Sequence, residues 1–397
     1  HSTCVHASRT AEKMTTGQSP VKMVKIEQFW QEVAGAMSGE PGREELPPIV
    51  TGTGETLVDQ SELLWNSASQ RQGGLEPLPT WVMGDEELPL TPQPEWTGML
   101  LEGGAKVYAE HDNGQDWRLI KTDDVVLLSC NLSAADYTED FELQAAVHDI
   151  YTKLALQVKA SGWHVFRFWN FLPGINELRG TLEEDPVTTY MVFNYARNEA
   201  LSVHYGSEDD MMSLVCTATG IGHTGPDFTV HAFIGRQEAI AVENPRQVPA
   251  YKYSRRWGPK PPSFSRGTIW PIPRSEDNMF IAGGTASVLG EDTAHLGDIR
   301  EQTRETFRNM TSLLLAAGGI EDEEEAAEAS KDWGKVPPYS NFTVYVRHMC
   351  DLEWVQSFID ANLTAPVSID YKQATVCRRE LLIEIEGVAK LDQNNKV

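Results

Sequence analysis

The sequence MFIAGGTASV, residues 279–288, is followed by DIREQTRETFRNMTSLLLAA, residues 298–317, and together they form the clearest structural pattern in the chain. The first stretch is apolar and ends in small residues, which predicts a strand. The second places apolar residues at helical spacing, which predicts a long amphipathic helix. The pattern continues with FTVYVRH at 342–348, LEWVQSFIDAN at 352–362 and LLIEIEGVA at 381–389, which predict strand, helix and strand. This order is typical of an α/β architecture.

Upstream, the same alternation of elements recurs in a weaker form. Residues 125–129 and 163–169 predict strands on either side of a helix at 141–160. Residues 214–219 and 228–234 predict two further strands. We therefore expect an α/β fold with mixed sheets packed against helices.

Composition divides the chain into three expected parts. Residues 1–95 are rich in Gly, Pro, Ser and Glu, and predict a weakly structured N-terminal extension. Residues 96–265 predict an N-terminal and middle α/β region, and residues 266–397 a C-terminal α/β domain. The acidic run EDEEE at 321–325 begins a segment, 321–335, that predicts a solvated loop or helix.

The charge balance limits the classes of partner. The 397 residues carry 33 Lys and Arg against 58 Asp and Glu, a formal net charge of −25. Such an excess of acid argues against a general nucleic-acid-binding protein, which needs a basic face. A small anionic substrate remains compatible with this charge, because arginine side chains can cluster locally.

No apolar run approaches the ~18–20 residues that a membrane-spanning helix needs. Because the first 25 residues also lack an apolar signal region, we expect a cytoplasmic protein without a membrane partner.

Several familiar motifs are absent or incomplete. GIGHTG at 220–225 matches the dinucleotide-binding pattern, but the PDFTVH that follows predicts a strand where that pattern needs a helix. We interpret it as a glycine-rich turn between strands. His348 and Cys350 are expected on one strand face, with no partner motif for a metal. The five cysteines lie far apart, which predicts reduced thiols and no zinc ribbon or disulfide scaffold.

Arginine set among aromatic residues is the strongest chemical signal. The residues concerned are Arg167 within FRFWN, Arg197 after FNY, Arg246 after NP, and Arg255, Arg256 and Arg266 within 251–266. Planar guanidinium groups bind carboxylates in bidentate fashion, and aromatic walls that exclude water strengthen the pairing. Each arginine taken alone is compatible with a surface ion pair to one of the surplus carboxylates. The set as a whole favours a site for a small polyanion.

Two glutamates interrupt the last predicted strand. Glu384 and Glu386 fall on the same face of LLIEIEG, where partial desolvation would raise the pKa of a carboxyl and suit it to act as a general acid. An exposed polar face of an edge strand explains the same spacing equally well. Cys377, seven residues before Glu384, is by itself typical of a buried inert thiol.

Several motifs in this order resemble the chorismatase family. They are FRFWNFLPGIN at 166–176, FNYAR at 193–197, NPRQ at 244–247, YKYSRRWGPKPPSFSR at 251–266, GGTAS at 283–287 and CRRELLIEIEG at 377–387. The resemblance spans about residues 100–390. It implies cleavage of chorismate with release of pyruvate, without cofactor or metal. It also implies a single-chain pseudo-trimer of YjgF/chorismate mutase-like units with a YjgF-like C-terminal domain, and hence a monomer.

The resemblance also implies roles for individual residues. Glu384 would protonate the methylene carbon of the enolpyruvyl ether. Arg197 and Arg266 are the first choices to bind the two substrate carboxylates, and Arg246 and Arg255 are the second choices. Tyr195 and Tyr253 are expected to form hydrogen bonds to the substrate through their hydroxyl groups. Cys377 and Gly284 resemble the branch of the family that forms 3-hydroxybenzoate.

Other outcomes stay open at this point. A hydrolytic branch of the family gives a dihydroxycyclohexadiene carboxylate, and a third gives mixed 3- and 4-hydroxybenzoate. A deaminase of enamine or imine intermediates would share the C-terminal fold, although such chains are usually short and trimeric. A non-catalytic ligand-binding protein on the same scaffold would keep the arginines without needing Glu384.

Overall fold

The computed structural model describes residues 106–391, together with residues 22–23, 97 and 100. Within 106–391 the residues left undescribed are 113, 134–139, 183, 206–214, 226, 321, 323, 326–327, 329–335 and 364–365. The extension predicted at 1–95 and the acidic segment predicted at 321–335 therefore lie mostly outside the described residues.

Strands and helices alternate along the described chain. The strands up to residue 235 are β1 (Lys22–Met23), β2 (Lys106–Asp112), β3 (Gln115–Lys121), β4 (Val125–Leu132), β5 (His164–Pro173), β6 (Leu178–Leu182), β7 (Asp185–Thr188), β8 (Thr217–His223) and β9 (Phe228–Gly235). The later strands are β10 (Ile240–Val242), β11 (Gly267–Pro271), β12 (Asn278–Ala286), β13 (Val288–Leu289), β14 (Asp292–Thr293), β15 (Asn341–Val346), β16 (Ser368–Gln373), β17 (Thr375–Val376) and β18 (Ile383–Leu391). The α-helices are α1 (Asp140–Ser161), α2 (Thr189–Tyr205), α3 (Ile299–Ala317) and α4 (Met349–Asn362).

Two large mixed sheets organise these elements. The first sheet has the strand order β1-β2-β3-β4-β9-β5-β8-β17, and the second has the order β10-β11-β12-β18-β15-β16. Each contains a parallel pair, β5 with β8 in the first sheet and β15 with β16 in the second, beside antiparallel neighbours. The expected α/β class with mixed sheets is confirmed. The pseudo-trimeric arrangement and the boundary at residue 265 stay predictions.

Three apolar clusters hold the layers together. Helices α1 and α2 pack on one face of the first sheet, through residues such as Val147, Phe193 and Val230. Helices α3 and α4 pack on one face of the second sheet through another cluster. A third cluster, which includes Phe166 and Trp270, joins the two sheets. The central strands are consequently buried on both faces, and this explains why β4 and β15 are apolar along most of their length.

A glycine pair allows the two sheets to approach each other closely. A Cβ atom at Gly283 of β12 would lie 2.1 Å from the Thr217 Oγ1 of β8. The pairing of β12 with β18 shifts register between Ala282 and Thr285, so that Gly283 and Gly284 form a β-bulge. Farther along the chain, β17 leaves the second sheet and pairs with β8 of the first. The sheets therefore meet along β8, β12 and β17.

Most of the elements expected from the sequence are present with small changes of boundary. The helix expected at 298–317 begins at Ile299, because Asp298 is its N-cap and accepts hydrogen bonds from the backbone of Arg300 and Glu301. The strand expected at 214–219 is shifted to Thr217–His223. Helix α2 and the β2–β3 hairpin were not expected.

Two local expectations were wrong. Gly220 and Gly222 lie inside β8 rather than in a turn, because the backbone there packs closely; a Cβ at Gly222 would lie 2.4 Å from the Ile175 side chain. Strand β9 follows the motif, in agreement with the rejection of a dinucleotide site. His348 and Cys350 do not share a strand face, because β15 ends at Val346 and His348 is the N-cap of α4.

Candidate active site

A cavity of about 210 Å³ opens where the two sheets meet. Its wall includes Tyr253, Arg266, Gly284, Cys377, Arg378 and Glu384. A smaller cavity of about 30 Å³ shares Gly284, Cys377 and Glu384 with it and adds Arg197. The structure thus brings six of the nine predicted site residues to one place, and adds Arg378.

The Glu384 carboxyl is buried on a central strand, so the alternative of an exposed edge strand is excluded. Burial raises the pKa of this carboxyl to about 8, and the neighbouring carboxylate of Glu386 adds to the rise. The guanidinium groups of Arg167 and Arg266 act in the opposite direction. Glu384 therefore holds its proton at neutral pH, as a general acid must.

Glu386 has the opposite environment, although it lies only two residues further along β18. Its carboxylate accepts hydrogen bonds from the Trp169 indole N–H at 3.1 Å and the Tyr345 hydroxyl at 3.1 Å. The Arg167 guanidinium forms an ion pair with it at 3.0 Å. Every one of these partners is a donor or a cation, so they occupy the carboxylate oxygens of Glu386 and tie the side chain into the junction of the two sheets.

Gly284 makes room for the Glu384 carboxyl. A Cβ atom at position 284 would lie 1.9 Å from Glu384 Oε1. The Gly284 backbone N–H donates to the Thr219 hydroxyl across the junction of the sheets. The β-bulge in β12 therefore both joins the two sheets and leaves the space that the Glu384 carboxyl occupies.

Two guanidinium groups flank Tyr253 at the larger cavity. Arg266 donates to the Tyr253 hydroxyl at 2.5 Å and to the Val248 carbonyl at 3.1 Å. The Arg378 guanidinium carbon lies 3.5 Å from the centre of the Trp257 ring and 5.2 Å from that of Tyr253. Both cations thus have aromatic neighbours, which favours binding of an anion. Sequence reasoning missed Arg378 because the aromatic residues around it come from a distant stretch, 251–257.

Arg197 reaches the smaller cavity from α2. Its guanidinium lies 5.1 Å from the centres of both the Tyr151 and Phe168 rings and donates to the Ser263 carbonyl at 2.6 Å. Tyr190 and Asn194, which were not predicted, line the same cavity. The three residues are spaced by four and then three positions, so they share one face of the helix.

Cys377 lies on the segment that connects β17 to β18. Burial raises the pKa of its thiol to about 12, and the Glu384 carboxylate adds to the rise, so the thiol is neutral. The segment is fixed by Arg347, which donates to the Val376 carbonyl at 3.1 Å and the Arg378 carbonyl at 2.6 Å. Cys377 is therefore a small, uncharged and poorly hydrogen-bonding part of the wall.

The structure does not bring the other predicted residues to this cavity. Arg246 pairs with Glu305 at 2.5 Å and donates to the Asn309 side chain at 2.7 Å. Arg255 is exposed on the short 3₁₀ turn Arg255–Trp257. Tyr195 is half-buried on α2 and does not line either cavity.

The described residues offer no evident metal or membrane feature. Among them, His, Cys, Asp and Glu side chains form no group of three or more that could hold a metal ion. In the same part of the chain, no helix has both the length and the apolar character needed to cross a membrane.

Comparison with known proteins gives a consistent picture. Residues 104–245 match the family model described as chorismatase FkbO/Hyg5-like, N-terminal. A 3-hydroxybenzoate synthase of Streptomyces hygroscopicus is 35% identical over 228 residues, which cover 56% of this chain and 63% of that protein. A chorismatase of Streptomyces rapamycinicus is 30% identical over 223 residues, with the same coverage of 56% and 63%. The chain thus spans a little under two thirds of these relatives.

A solved structure matches a larger share of the chain. The crystal structure of a chorismatase matches with a TM-score of 0.56 and 27% identity, and covers 71% of this chain and 79% of that one. These findings confirm the resemblance read from the motifs. The chain is therefore similar to chorismatases, and residues 104–245 match the FkbO/Hyg5-like N-terminal family model.

Proposed function

We propose that this chain cleaves chorismate and releases pyruvate, with Glu384 as the general acid. The observation that carries the proposal is a buried, protonated carboxyl that lines two cavities with four arginines: Arg266, Arg378 and Arg379 in the larger cavity, and Arg197 in the smaller one. The names of the relatives, chorismatase and 3-hydroxybenzoate synthase, support the same substrate. We also expect the protein to be a monomer and to be located in the cytoplasm.

Glu384 supplies the proton that the chemistry needs. Chorismate carries an enolpyruvyl ether, and addition of a proton to its methylene carbon gives a methyl group and an oxocarbenium centre. The O–H bond of Glu384 breaks as the new C–H bond forms, which leaves a carboxylate beside the cation. A carboxyl with a pKa near 8 holds its proton at neutral pH and is still acidic enough to transfer it.

The cations around Glu384 fit the two carboxylates of the substrate. Arg266 and Arg378 line the larger cavity, where one carboxylate binds beside Tyr253. Arg197 lines the smaller cavity, where the second carboxylate binds. Guanidinium–carboxylate pairs are bidentate and directional, so they fix the ether against Glu384.

We propose 3-hydroxybenzoate as the second product. The Cys377 thiol is neutral and forms weak hydrogen bonds, so it fills space beside the acid without holding a water molecule there. The ring hydroxyl of the substrate is then the nearest nucleophile, and proximity favours its attack on the ring carbon that carries the activated ether. The bond from that carbon to the ether oxygen breaks and releases pyruvate, and the hydroxyl proton passes to the Glu384 carboxylate. The resulting ring oxide isomerises to the aromatic hydroxybenzoate without gain or loss of atoms. Pyruvate and 3-hydroxybenzoate together contain all the atoms of chorismate, whereas the hydrolytic alternative consumes one water. A mixture with 4-hydroxybenzoate is the remaining alternative.

Incubation of the whole chain with chorismate tests the proposal. Pyruvate is measured with lactate dehydrogenase, and the ring product is identified by chromatography and mass. We expect equal amounts of pyruvate and 3-hydroxybenzoate. Detection of the dihydroxycyclohexadiene acid, which is heavier than 3-hydroxybenzoate by one water, would support the proposed cleavage of chorismate and reject 3-hydroxybenzoate as the product. Binding of chorismate without release of pyruvate would indicate the non-catalytic ligand-binding protein instead.

A further inference from the structure

A second cavity, of about 170 Å³, lies on the helix side of the first sheet and does not include Glu384. Helices α1 and α2, the beginning of β5 and the residues around β10 enclose it. Its wall is mainly apolar and includes Leu154, Val158, Trp163, Phe168 and Leu201. Lys159 and Glu238 are exposed residues of the wall, so they lie toward solvent.

Arg197 is the buried cation of this cavity, and it lines the smaller active-site cavity as well. Its side chain is only 2% exposed. Its Nη1 donates to the Ser263 carbonyl, whereas its Nε has no hydrogen-bond partner among the described residues. A buried donor without a partner is destabilising, and a ligand that accepts its hydrogen bond removes that penalty.

We propose that the second cavity binds a small aromatic monocarboxylate, with the carboxylate on Arg197 and the ring among the apolar side chains. An apolar cavity of about 150 Å³ accepts a benzene ring, so a volume of about 170 Å³ has room for one ring with a carboxylate. A neutral apolar ligand leaves the cation unpaired. A polyanion such as a phosphate ester places charge against the apolar wall, where it is strongly disfavoured.

The shared guanidinium couples this cavity to the active site. A carboxylate bound in the second cavity pairs with the Arg197 guanidinium, and the same guanidinium is proposed to bind a substrate carboxylate in the smaller active-site cavity. We therefore expect an aromatic acid in the second cavity to weaken the binding of chorismate. This consequence rests on the proposed function, whereas the binding itself does not.

Crystals of the whole chain soaked in 3-bromobenzoate test the site directly, because bromine gives an anomalous signal. We expect a bromine peak in the second cavity of the unmodified protein. Ala239→Trp fills the cavity, since Ala239 lies in its wall, and should abolish the peak. Ile240→Trp is the matched control, because Ile240 is the next residue, is 60% exposed and lies outside the wall; it should keep the peak.

Titration calorimetry with benzoate measures the same site in solution. Ala239→Trp should lose one equivalent of bound benzoate, and Ile240→Trp should lose none. Neutral benzamide should bind to the second cavity about tenfold more weakly, because it cannot pair with the cation. If Ala239→Trp does not fold, Ala241→Trp replaces it, because Ala241 also lies in the wall.

The following results would overturn the inference: no bromine peak in this cavity of the unmodified protein, an unchanged peak in the filled variant, or benzamide bound as tightly as benzoate. None of these measurements uses chorismate. A bromine peak together with an absence of pyruvate release would reject the proposed function and keep this site.

Discussion

Glu384 and Glu386 show how environment separates two identical side chains. Glu386 is surrounded by three donors, whereas no hydrogen bond from the described residues reaches the Glu384 carboxyl. Two carboxyls in such different environments recur where a site needs two roles from two identical groups. The sequence predicted their shared strand and left their burial open. The partners of Glu386 are 41 to 219 residues away along the chain, so no local pattern could reveal them.

The pH dependence of turnover should follow the pKa of Glu384. The acid works only while protonated, so we expect kcat to fall as the pH rises through about 8. Glu386→Gln removes a like charge and leaves Arg167 without its carboxylate partner. Both changes lower the pKa of Glu384, so the fall should move to lower pH. The measurement is the pH profile of kcat, and an unmoved alkaline limb in Glu386→Gln would refute this electrostatic coupling.

Position 284 should tolerate no side chain. The Cβ of Gly284→Ala meets the Glu384 carboxyl at 1.9 Å and displaces it, so we expect kcat to fall about 100-fold, as when an active-site group is misplaced by about 1 Å. The double variant Gly284→Ala, Glu384→Asp has a shorter acid and should recover part of the loss. Steady-state kinetics of both variants provide the check. Full activity in Gly284→Ala would mean that the carboxyl does not occupy this place during turnover.

Cys377 should control the choice of product. Cys377→Ala opens space beside the acid for a water molecule, so we expect more of the hydrolytic product and less 3-hydroxybenzoate. The ratio is measured by chromatography after complete conversion. Cys350→Ala changes an exposed thiol on α4 and serves as the control. If the unmodified chain, Cys377→Ala and Cys350→Ala give the same ratio of hydrolytic product to 3-hydroxybenzoate, Cys377 does not direct the choice of product.

At the scale of elements, α2 is the main feature that the sequence did not reveal. Its apolar residues Val192, Phe193, Ala196 and Ala200 have helical spacing and are buried. Its other buried face carries the polar residues Asn194 and Arg197, because that face lines the site. These polar side chains interrupt the stripe of apolar residues along α2. The apolar periodicity that predicts a helix is therefore weakest at the face that lines the cavity.

The segment between β17 and β18 should depend on Arg347. This guanidinium donates to the carbonyls of Val376, Arg378 and Leu381, and so fixes the segment that carries Cys377 and Arg378. Arg347→Lys loses the planar set of donors, so we expect KM for chorismate to rise and the free energy of unfolding to fall by about 1–3 kcal/mol. Arg274→Lys, at an exposed ion pair, is the control for kinetics and chemical denaturation. If Arg347→Lys and Arg274→Lys have the same KM for chorismate, Arg347 does not position the segment that carries Cys377 and Arg378.

For the whole molecule, the elements were more predictable than their assembly. Apolar runs identified β4, β12, β15 and β18 because these strands are buried on both faces. The crossing of β17 into the first sheet depends on pairing with β8, about 150 residues upstream, and its two residues carry no signal of their own. The glycine pair at 283–284 was noticed as a motif, but its role becomes clear only where Thr217 and Glu384 approach it.

The resemblance implies a chain that already contains the units of a pseudo-trimer, so activity should not require assembly. We expect a monomer in light scattering and a specific activity that is independent of protein concentration. A stable homotrimer whose activity is lost on dilution would contradict this expectation and would favour the deaminase hypothesis.

Pyruvate release from chorismate by Glu384→Gln, compared with the unmodified chain at pH 7, is the most direct test of the central claim. The amide keeps the shape of the acid and removes its proton, so we predict that kcat falls by about 10²–10⁴ while chorismate still binds. Glu353→Gln, at an exposed position on α4, should keep full activity. Pyruvate release by Glu384→Gln at the rate of the unmodified chain would contradict the account.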